Sequence, residues 1–195
     1  MKLDNTIRIE TFPGVYAPAE DSFLLLSAVK ARKGQRVLEM GTGSGIIAIH
    51  CARADCVVTA ADISLDAIEN ARVNAAINLL DITLAHSNLF EKVRGKFDVI
   101  IFNPPYLSSR DSEGLTIAEK QPLVGGEGGH EVSVRFLKAA PKYLAPKGRI
   151  YLLTSSESEE KVLKAARNIY SVRKIAEQRI FFELLAVHEL KIDNP

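Results

Sequence analysis

Apolar positions along the chain follow two periods. Short runs rich in β-branched residues alternate with longer stretches in which apolar residues recur every three to four positions, the patterns of strands and of amphipathic helices. Strands are expected at Arg36 to Met40, Val57 to Ala61, Ile82 to His86, Phe97 to Phe102 and Arg149 to Thr154. Val37-Leu38 and Val99-Ile100-Ile101-Phe102 are continuously apolar, as strands buried on both faces are, and belong at the centre of a sheet. Helices are expected at Glu20 to Ala31, Ser44 to Arg53, Leu65 to Leu80, Val132 to Leu144 and Glu157 to Ile169. Ser64 can cap the third of these, and Asp66 suits the positive end of its dipole. Pro141 forces a kink or an early end on the fourth. Strand and helix in alternation make βαβ units and a mostly parallel α/β sheet. Ser171 to Arg179 and Phe182 to Leu190 have no helix between them, so they should pair antiparallel.

One stretch has neither period. Leu107 to His130 contains Gly125-Gly126-Glu127-Gly128-Gly129, which would cost a helix or strand heavily in backbone entropy. Loops beyond about 12 to 15 residues are uncommon in compact domains and often functional. The plain alternative is an ordinary surface excursion, but its place directly after a chemically unusual strand end favours a loop over an active site. Residues 1–19 form an N-terminal arm, and with no repeat or linker the chain reads as one domain over residues 1–195.

Composition narrows the class. With 47% hydrophobic and 25% charged residues among 195, the chain can bury a core and is neither disordered nor fibrous. A formal net charge of +1 gives no overall field for nucleic acid or an anionic membrane surface. Cys51 and Cys56 are too few for a disulfide framework or a zinc site, and His50, His86, His130 and His188 show no ligand spacing. A reducing cytoplasm is the expected setting. No membrane-length apolar run and no signal-like start are present.

The chemistry begins at Glu39-Met40-Gly41-Thr42-Gly43-Ser44-Gly45, a glycine turn between a buried strand and a helix. Gly41, Gly43 and Gly45 let backbone approach a ligand where a Cβ would collide. A dinucleotide fingerprint needs glycine where Ile46 stands, which disfavours a dehydrogenase. Glu39 places a carboxylate where a cationic group is held and a pyrophosphate repelled. Asp62 ends the second strand at the same sheet edge and can accept from both hydroxyls of a ribose; the plain alternative is a capping aspartate, a task Ser64 already covers. Ser87-Asn88-Leu89-Phe90, after the third strand, offers polar groups for an adenine edge and Leu89 for its face, although a plain turn reads the same residues almost as well. A cationic centre, a ribose and an adenine together imply S-adenosyl-L-methionine. In this order the motifs resemble those of class I methyltransferases.

The fourth strand ends in Asn103-Pro104-Pro105-Tyr106, the signature of amino methyltransferases acting on adenine, guanine or glutamine nitrogen. A planar NH₂ group is a poor nucleophile because its lone pair is delocalised, so the enzyme must orient it with acceptors. The side-chain oxygen of Asn103 and the carbonyl of Pro104 supply two. Pro104 and Pro105 have no N–H to compete, and their fixed φ holds the carbonyls in place. Tyr106 offers a ring on which the planar group can lie. Positioning and electrostatics then provide most of the acceleration.

The stretch Gly14-Val15-Tyr16-Ala17-Pro18-Ala19-Glu20-Asp21-Ser22-Phe23, together with Leu123-Val124-Gly125-Gly126, narrows the likeness. It resembles the short archaeal and eukaryotic branch of the HemK/PrmC family, which methylates the glutamine of the Gly-Gly-Gln motif in class I peptide-chain release factors. The resemblance implies a Rossmann-like fold with a seven-stranded, mostly parallel sheet, an antiparallel C-terminal strand and helices on both faces. It also implies that Ser22, Glu39, Gly41, Asp62, Asn88, Leu89 and Asn103 contact the donor and that Asn103 to Tyr106 hold the substrate amide. The plain alternative for Glu20-Asp21 is the acidic first turn of a helix.

Family members commonly have aspartate where Asn88 stands. Bacterial members carry an additional N-terminal helical domain for gripping the release factor, whereas about 20 residues precede the first helix here. Some relatives work with a small zinc-containing activator that pairs with the sheet edge, and such a partner is expected. Adenine-N6 methylation of DNA or RNA uses the same acceptor geometry and is the rival reading. The absence of a basic excess or any tryptophan, and only scattered cations such as Arg94, Lys96, Arg110 and Lys120, disfavour it. A binding module without catalysis would have no use for Asn103 to Tyr106.

Overall fold

A computed structural model describes residues 1–109, 123–180 and 183–192. Its strands are β1 (Arg36–Met40), β2 (Val57–Asp62), β3 (Thr83–His86), β4 (Phe97–Phe102), β5 (Leu144–Ser155), β6 (Ser171–Ile180) and β7 (Glu183–Lys191). They form one seven-stranded sheet in the order β3-β2-β1-β4-β5-β7-β6. Pairs among β1 to β5 are parallel, and β7 runs antiparallel to both β5 and β6. The expected architecture is therefore present, including the antiparallel strand near the C-terminus. Phe182, expected to open the last strand, lies outside the described residues.

Helices α1 (Glu20–Ala28), α2 (Ile46–Arg53), α3 (Leu65–Ile77), α4 (Glu131–Ala139) and α5 (Glu159–Ala166) cover the sheet. Alternation along the strands divides the core. Val37, Val99 and Ile101 pack with Leu25 of α1 and Ile47 of α2, whereas Leu38, Ile100 and Leu152 pack with Phe136 of α4 and Val162 of α5. β1 and β4 are apolar on both faces for this reason. Among the described residues, no helix is long and apolar enough to cross a membrane.

Several boundaries are tighter than the pattern suggests. α1 ends at Ala28 rather than Ala31, and α2 starts at Ile46 because Gly45 is left-handed at φ 82°. α3 stops at Ile77, three residues before Leu80: the Asn78 side chain turns to the N-terminal arm and Leu79 adopts φ 56°. Pro141 has its expected effect, since α4 ends at Ala139 and a 3₁₀ turn spans Ala140–Tyr143. β5 starts early, at Leu144, pairing with Phe97 before a register shift brings Arg149 opposite Val99. α5 is shorter than Glu157 to Ile169 at both ends.

The register fixes what comes next. Met40 lies opposite Ala61 on one side and Phe102 on the other, and Asp62 lies opposite His86. Residues leaving these strands, among them Gly41, Ser87 and Asn103, thus emerge at one sheet edge with Asp62. The order reverses there between β1's two neighbours, β2 and β4, and such a crevice at the carboxyl ends of the strands is where open α/β sheets bind ligands.

Candidate active site

A cavity of about 310 Å³ opens at this edge, within the range typical of small-molecule sites. Eleven of the twelve residues expected in the site line it. Ser22, Glu39, Gly41, Gly43, Asp62, Asn88, Leu89 and Asn103 to Tyr106 line its wall. Gly45 stands just behind as the N-cap of α2, where a Cβ would press on Ala71 of α3 at 3.1 Å.

Two carboxylates hold the glycine turn. Glu39 is buried, and its Oε2 accepts from the Thr42 hydroxyl at 2.6 Å and from the Ala48 N–H of α2 at 2.9 Å. Burial pushes its pKa up to about 8, partly opposed by those two hydrogen bonds. Asp62 accepts from the Gly43 N–H at 3.0 Å on one oxygen and from the Ser64 N–H at 2.9 Å on the other. Burial raises its pKa as well. A carboxylate offers about four lone-pair sites, so Asp62 keeps acceptor capacity toward the cavity. Ser64 caps α3 through the Ala67 N–H at 3.3 Å, as its position suggested.

After β3, the Ser87 hydroxyl donates to the Leu89 carbonyl at 2.8 Å and accepts from the Lys92 N–H at 2.9 Å. This holds Leu89 left-handed at φ 49°, a conformation that costs a non-glycine residue roughly 1–2 kcal/mol. Strain of this kind clusters at functional sites. Asn88 is engaged at both ends: its oxygen accepts from Arg135 at 3.3 Å, and its nitrogen donates to Glu91 at 3.1 Å. Arg135 belongs to α4 and lines the same cavity.

The Asn103 nitrogen donates to the Asp21 carboxylate at 3.0 Å, and the Asn103 oxygen, buried from water, has no hydrogen-bond partner among the described residues. An orphaned acceptor is costly and calls for a partner supplied from outside. Asp21 is itself buried; its other oxygen accepts from the N–H of Ser22 at 2.6 Å and from its hydroxyl at 3.1 Å. Tyr16 and Tyr106 stand beside it, and burial first, then the Asp21 charge, lift both phenols above the ordinary tyrosine range.

The segment after Tyr106 explains its glycines. Residues 110–122 of the expected active-site loop lie outside the described residues, but its two ends meet. The Leu107 N–H donates to Leu123 at 3.0 Å, and the Gly125 N–H donates to Leu107 at 2.9 Å. A Cβ on Gly125 would strike the Pro105 carbonyl oxygen, and one on Gly129 would strike that of Tyr106. The glycines are thus the surface against which Asn103 to Tyr106 is moulded. Leu123 and Val124 also reach the cavity wall.

Asp21 and Tyr16, like Arg135 on α4, are residues that sequence reasoning missed. An acid in the first turn of a helix is ordinary, and no periodicity marks one that turns inward. The only signal for Asp21 and Tyr16 is position: both fall in the stretch Tyr16 to Ser22 that carries the family likeness.

Comparison with known proteins gives the family and the fold. The model of the family described as methyltransferase small domain matches residues 6–183. A Methanocaldococcus jannaschii protein provisionally named protein N5-glutamine methyltransferase is 41% identical over 156 residues, 80% of this chain and 79% of that protein. Mouse methyltransferase HEMK2 is 35% identical over 171 residues, again 80% of this chain and 79% of its own. Among solved structures, the Encephalitozoon cuniculi (E. cuniculi) Mtq2–Trm112 complex, described as methylating the eRF1 termination factor, gives a TM-score of 0.73. That alignment is 24% identical and covers 92% of this chain and 99% of the other; it is a likeness of fold.

Proposed function

The chain belongs to the methyltransferase small-domain family, in its HemK/PrmC group, and from that premise we propose that it N5-methylates the glutamine of the Gly-Gly-Gln motif in a class I peptide-chain release factor. The observation that carries the proposal is the orphaned Asn103 oxygen, a buried acceptor without a partner among the described residues, on a side chain of the Asn-Pro-Pro-Tyr corner that lines the cavity.

The donor is S-adenosyl-L-methionine, and the residues present fit it. Glu39 keeps one oxygen clear of the hydrogen bonds made by Thr42 and Ala48, suiting a nearby positive charge. Asp62 has lone pairs left for ribose hydroxyls, and Leu89 gives an apolar wall for a base. When bound, the donor supplies an electrophilic methyl group on a sulfonium. The protein's work is positional. Asn103 accepts one N–H of the glutamine amide, the Pro104 carbonyl accepts the second, and the Tyr106 ring supports the amide plane. Fixing the nitrogen on the line of attack removes the entropy of encounter, and the two acceptors favour charge leaving it. The proton acidified by methylation then departs to water or to one of these acceptors.

A small zinc-containing activator suits the free edge of β3. Ile63, Leu65 and Leu79, at the two ends of the α3 segment that leads from β2 into β3, have 56%, 64% and 93% of their surface exposed. An exposed edge beside apolar side chains is the kind of surface a partner strand covers. An isolated chain that is monodisperse and fully active would argue against the partner.

Labelled donor offered with a release factor, with the same factor lacking its Gly-Gly-Gln glutamine, and with duplex DNA tests the reading. Label is expected only in the intact factor. Label in the glutamine-lacking factor, or in DNA, overturns the assignment; the DNA result would install adenine methylation instead.

A further inference from the structure

Helix α3 and its C-cap present three asparagines at four-residue spacing, Asn70 and Asn74 within the helix and Asn78 at the cap, all buried. Asparagine is a poor choice for a helix interior, where its amide competes with the backbone. Here each amide reads the backbone of the N-terminal arm. The Asn78 oxygen accepts from the Arg8 N–H at 3.0 Å, and its nitrogen donates to the Arg8 carbonyl at 2.7 Å. The Asn74 oxygen accepts from the Glu10 N–H at 2.9 Å, and the Asn70 oxygen accepts from the Phe12 N–H at 2.9 Å. The nitrogens of Asn70 and Asn74 both donate to the Glu10 carbonyl, at 2.8 and 2.7 Å.

The spacing is what makes this possible. Four helical residues rise about 6 Å, and alternate residues of an extended chain repeat every 6.4–6.8 Å or so, so successive asparagines meet alternate arm residues. The helix serves as a substitute strand. Asn74 has one further bond: its second N–H reaches the Ser44 carbonyl at 2.9 Å, in the glycine turn. One amide therefore ties the arm to the loop that forms the donor site. Two residues beyond Phe12 the arm enters the cavity wall as Gly14, Val15 and Tyr16.

We propose that Asn70, Asn74 and Asn78 are positioning residues for donor binding: they hold Gly14 to Tyr16 as a strap across the cavity, and Asn74 locks that strap to the glycine turn. The inference rests on the donor reading given above, and goes beyond it by making arm docking and donor affinity one coupled equilibrium. Coupling of this kind is reciprocal, so the donor must tighten the arm as the arm tightens the donor.

The test uses the full chain without any methyl acceptor. Exchange of the Arg8, Glu10 and Phe12 amide hydrogens is followed with and without S-adenosyl-L-methionine, and donor Kd is measured for the unaltered protein, Asn74→Ala and Asn78→Ala. Donor should slow exchange at all three amides. Asn74→Ala should raise Kd roughly tenfold or more, because it removes the three hydrogen bonds to Glu10 and Ser44, with Asn78→Ala smaller in effect. Turnover at saturating donor should change by less than about threefold, because the acceptors at Asn103 are intact. A merely structural ladder would lower Tm and leave Kd and donor-dependent exchange unchanged, which overturns the proposal. If Asn74→Ala does not fold, Asn78→Ala and exchange in the unaltered chain decide it alone. An unaltered chain that binds no donor overturns the donor reading itself; one that binds donor without protecting the arm overturns only the strap.

Discussion

Asp21 and Asn103, 82 positions apart in sequence, meet at 3.0 Å through the Asn103 nitrogen. Carboxylate oxygens accept hydrogen bonds, so the nitrogen of the amide must face Asp21 and the oxygen must face away. The contact turns an ambiguous side chain into a directed acceptor. Asp21→Asn keeps the shape and can still accept from Ser22, but it allows the Asn103 amide to flip. The expected result is a fall in kcat of about 10- to 100-fold with donor KM within threefold, on the scale of losing part of one oriented polar contact. Asn103→Ala should keep donor binding and lose most turnover. Unaltered kcat in a radiolabelled methyl-transfer assay of Asp21→Asn would remove the orienting role.

Glu39 should report donor binding as a proton. Its pKa of about 8 in the free protein means that it is largely protonated at neutral pH, and a cation placed beside it favours the carboxylate. Donor affinity should therefore rise from pH 6 to about 8 and level off above, with a proton released on binding at pH 7. Calorimetry in two buffers of different ionisation enthalpy measures that proton, and Glu39→Gln should abolish it. For the donor-free fold the sign is opposite. A carboxyl whose folded pKa lies above its ordinary 4.5 contributes stability fully below pH 4.5 and loses it as pH rises toward 8. No proton release at pH 7 would contradict the first statement, and a stability advantage of the unaltered protein over Glu39→Gln that does not fall between pH 4.5 and 8 would contradict the second.

Gly125→Ala and Gly129→Ala should act on turnover from outside the donor site. Either methyl meets a carbonyl oxygen of Pro105 or Tyr106, and backbone there must shift to make room. Misplacement of about 1 Å can cost roughly 100-fold in rate. Donor Kd is expected to stay within threefold, since the glycine turn and Asp62 are untouched. Wild-type kcat in either variant would show that the corner tolerates movement.

Leu89→Gly separates conformation from contact. Glycine tolerates the φ of 49° at Leu89, so thermal stability should hold or rise by about 0.5–1 kcal/mol less the lost packing. The apolar wall disappears with the side chain, and donor Kd should rise several-fold. Unchanged Kd, measured by calorimetry, would take Leu89 out of donor recognition.

Much of the fold was legible because strands of a parallel sheet announce themselves. Val99 to Phe102 is apolar without alternation since helices cover both faces, and Gly41 to Gly45 must be a turn since three small residues end a buried run there. Asn103 to Tyr106 was legible as chemistry, its residue types having few other uses. The partners of those residues were not. Asp21 looked like an ordinary first-turn acid, and nothing in the pattern of α3 singled out its asparagines. Only the register of β1, β2 and β4, with the return of the arm and α1 to that edge, brings Asp21 to Asn103 and Glu10 to Asn74. Local sequence sets backbone preference and periodicity within a few residues of itself. Which carboxylate orients which amide across 82 positions depends on how helices and strands pack, and that is decided by the whole core at once.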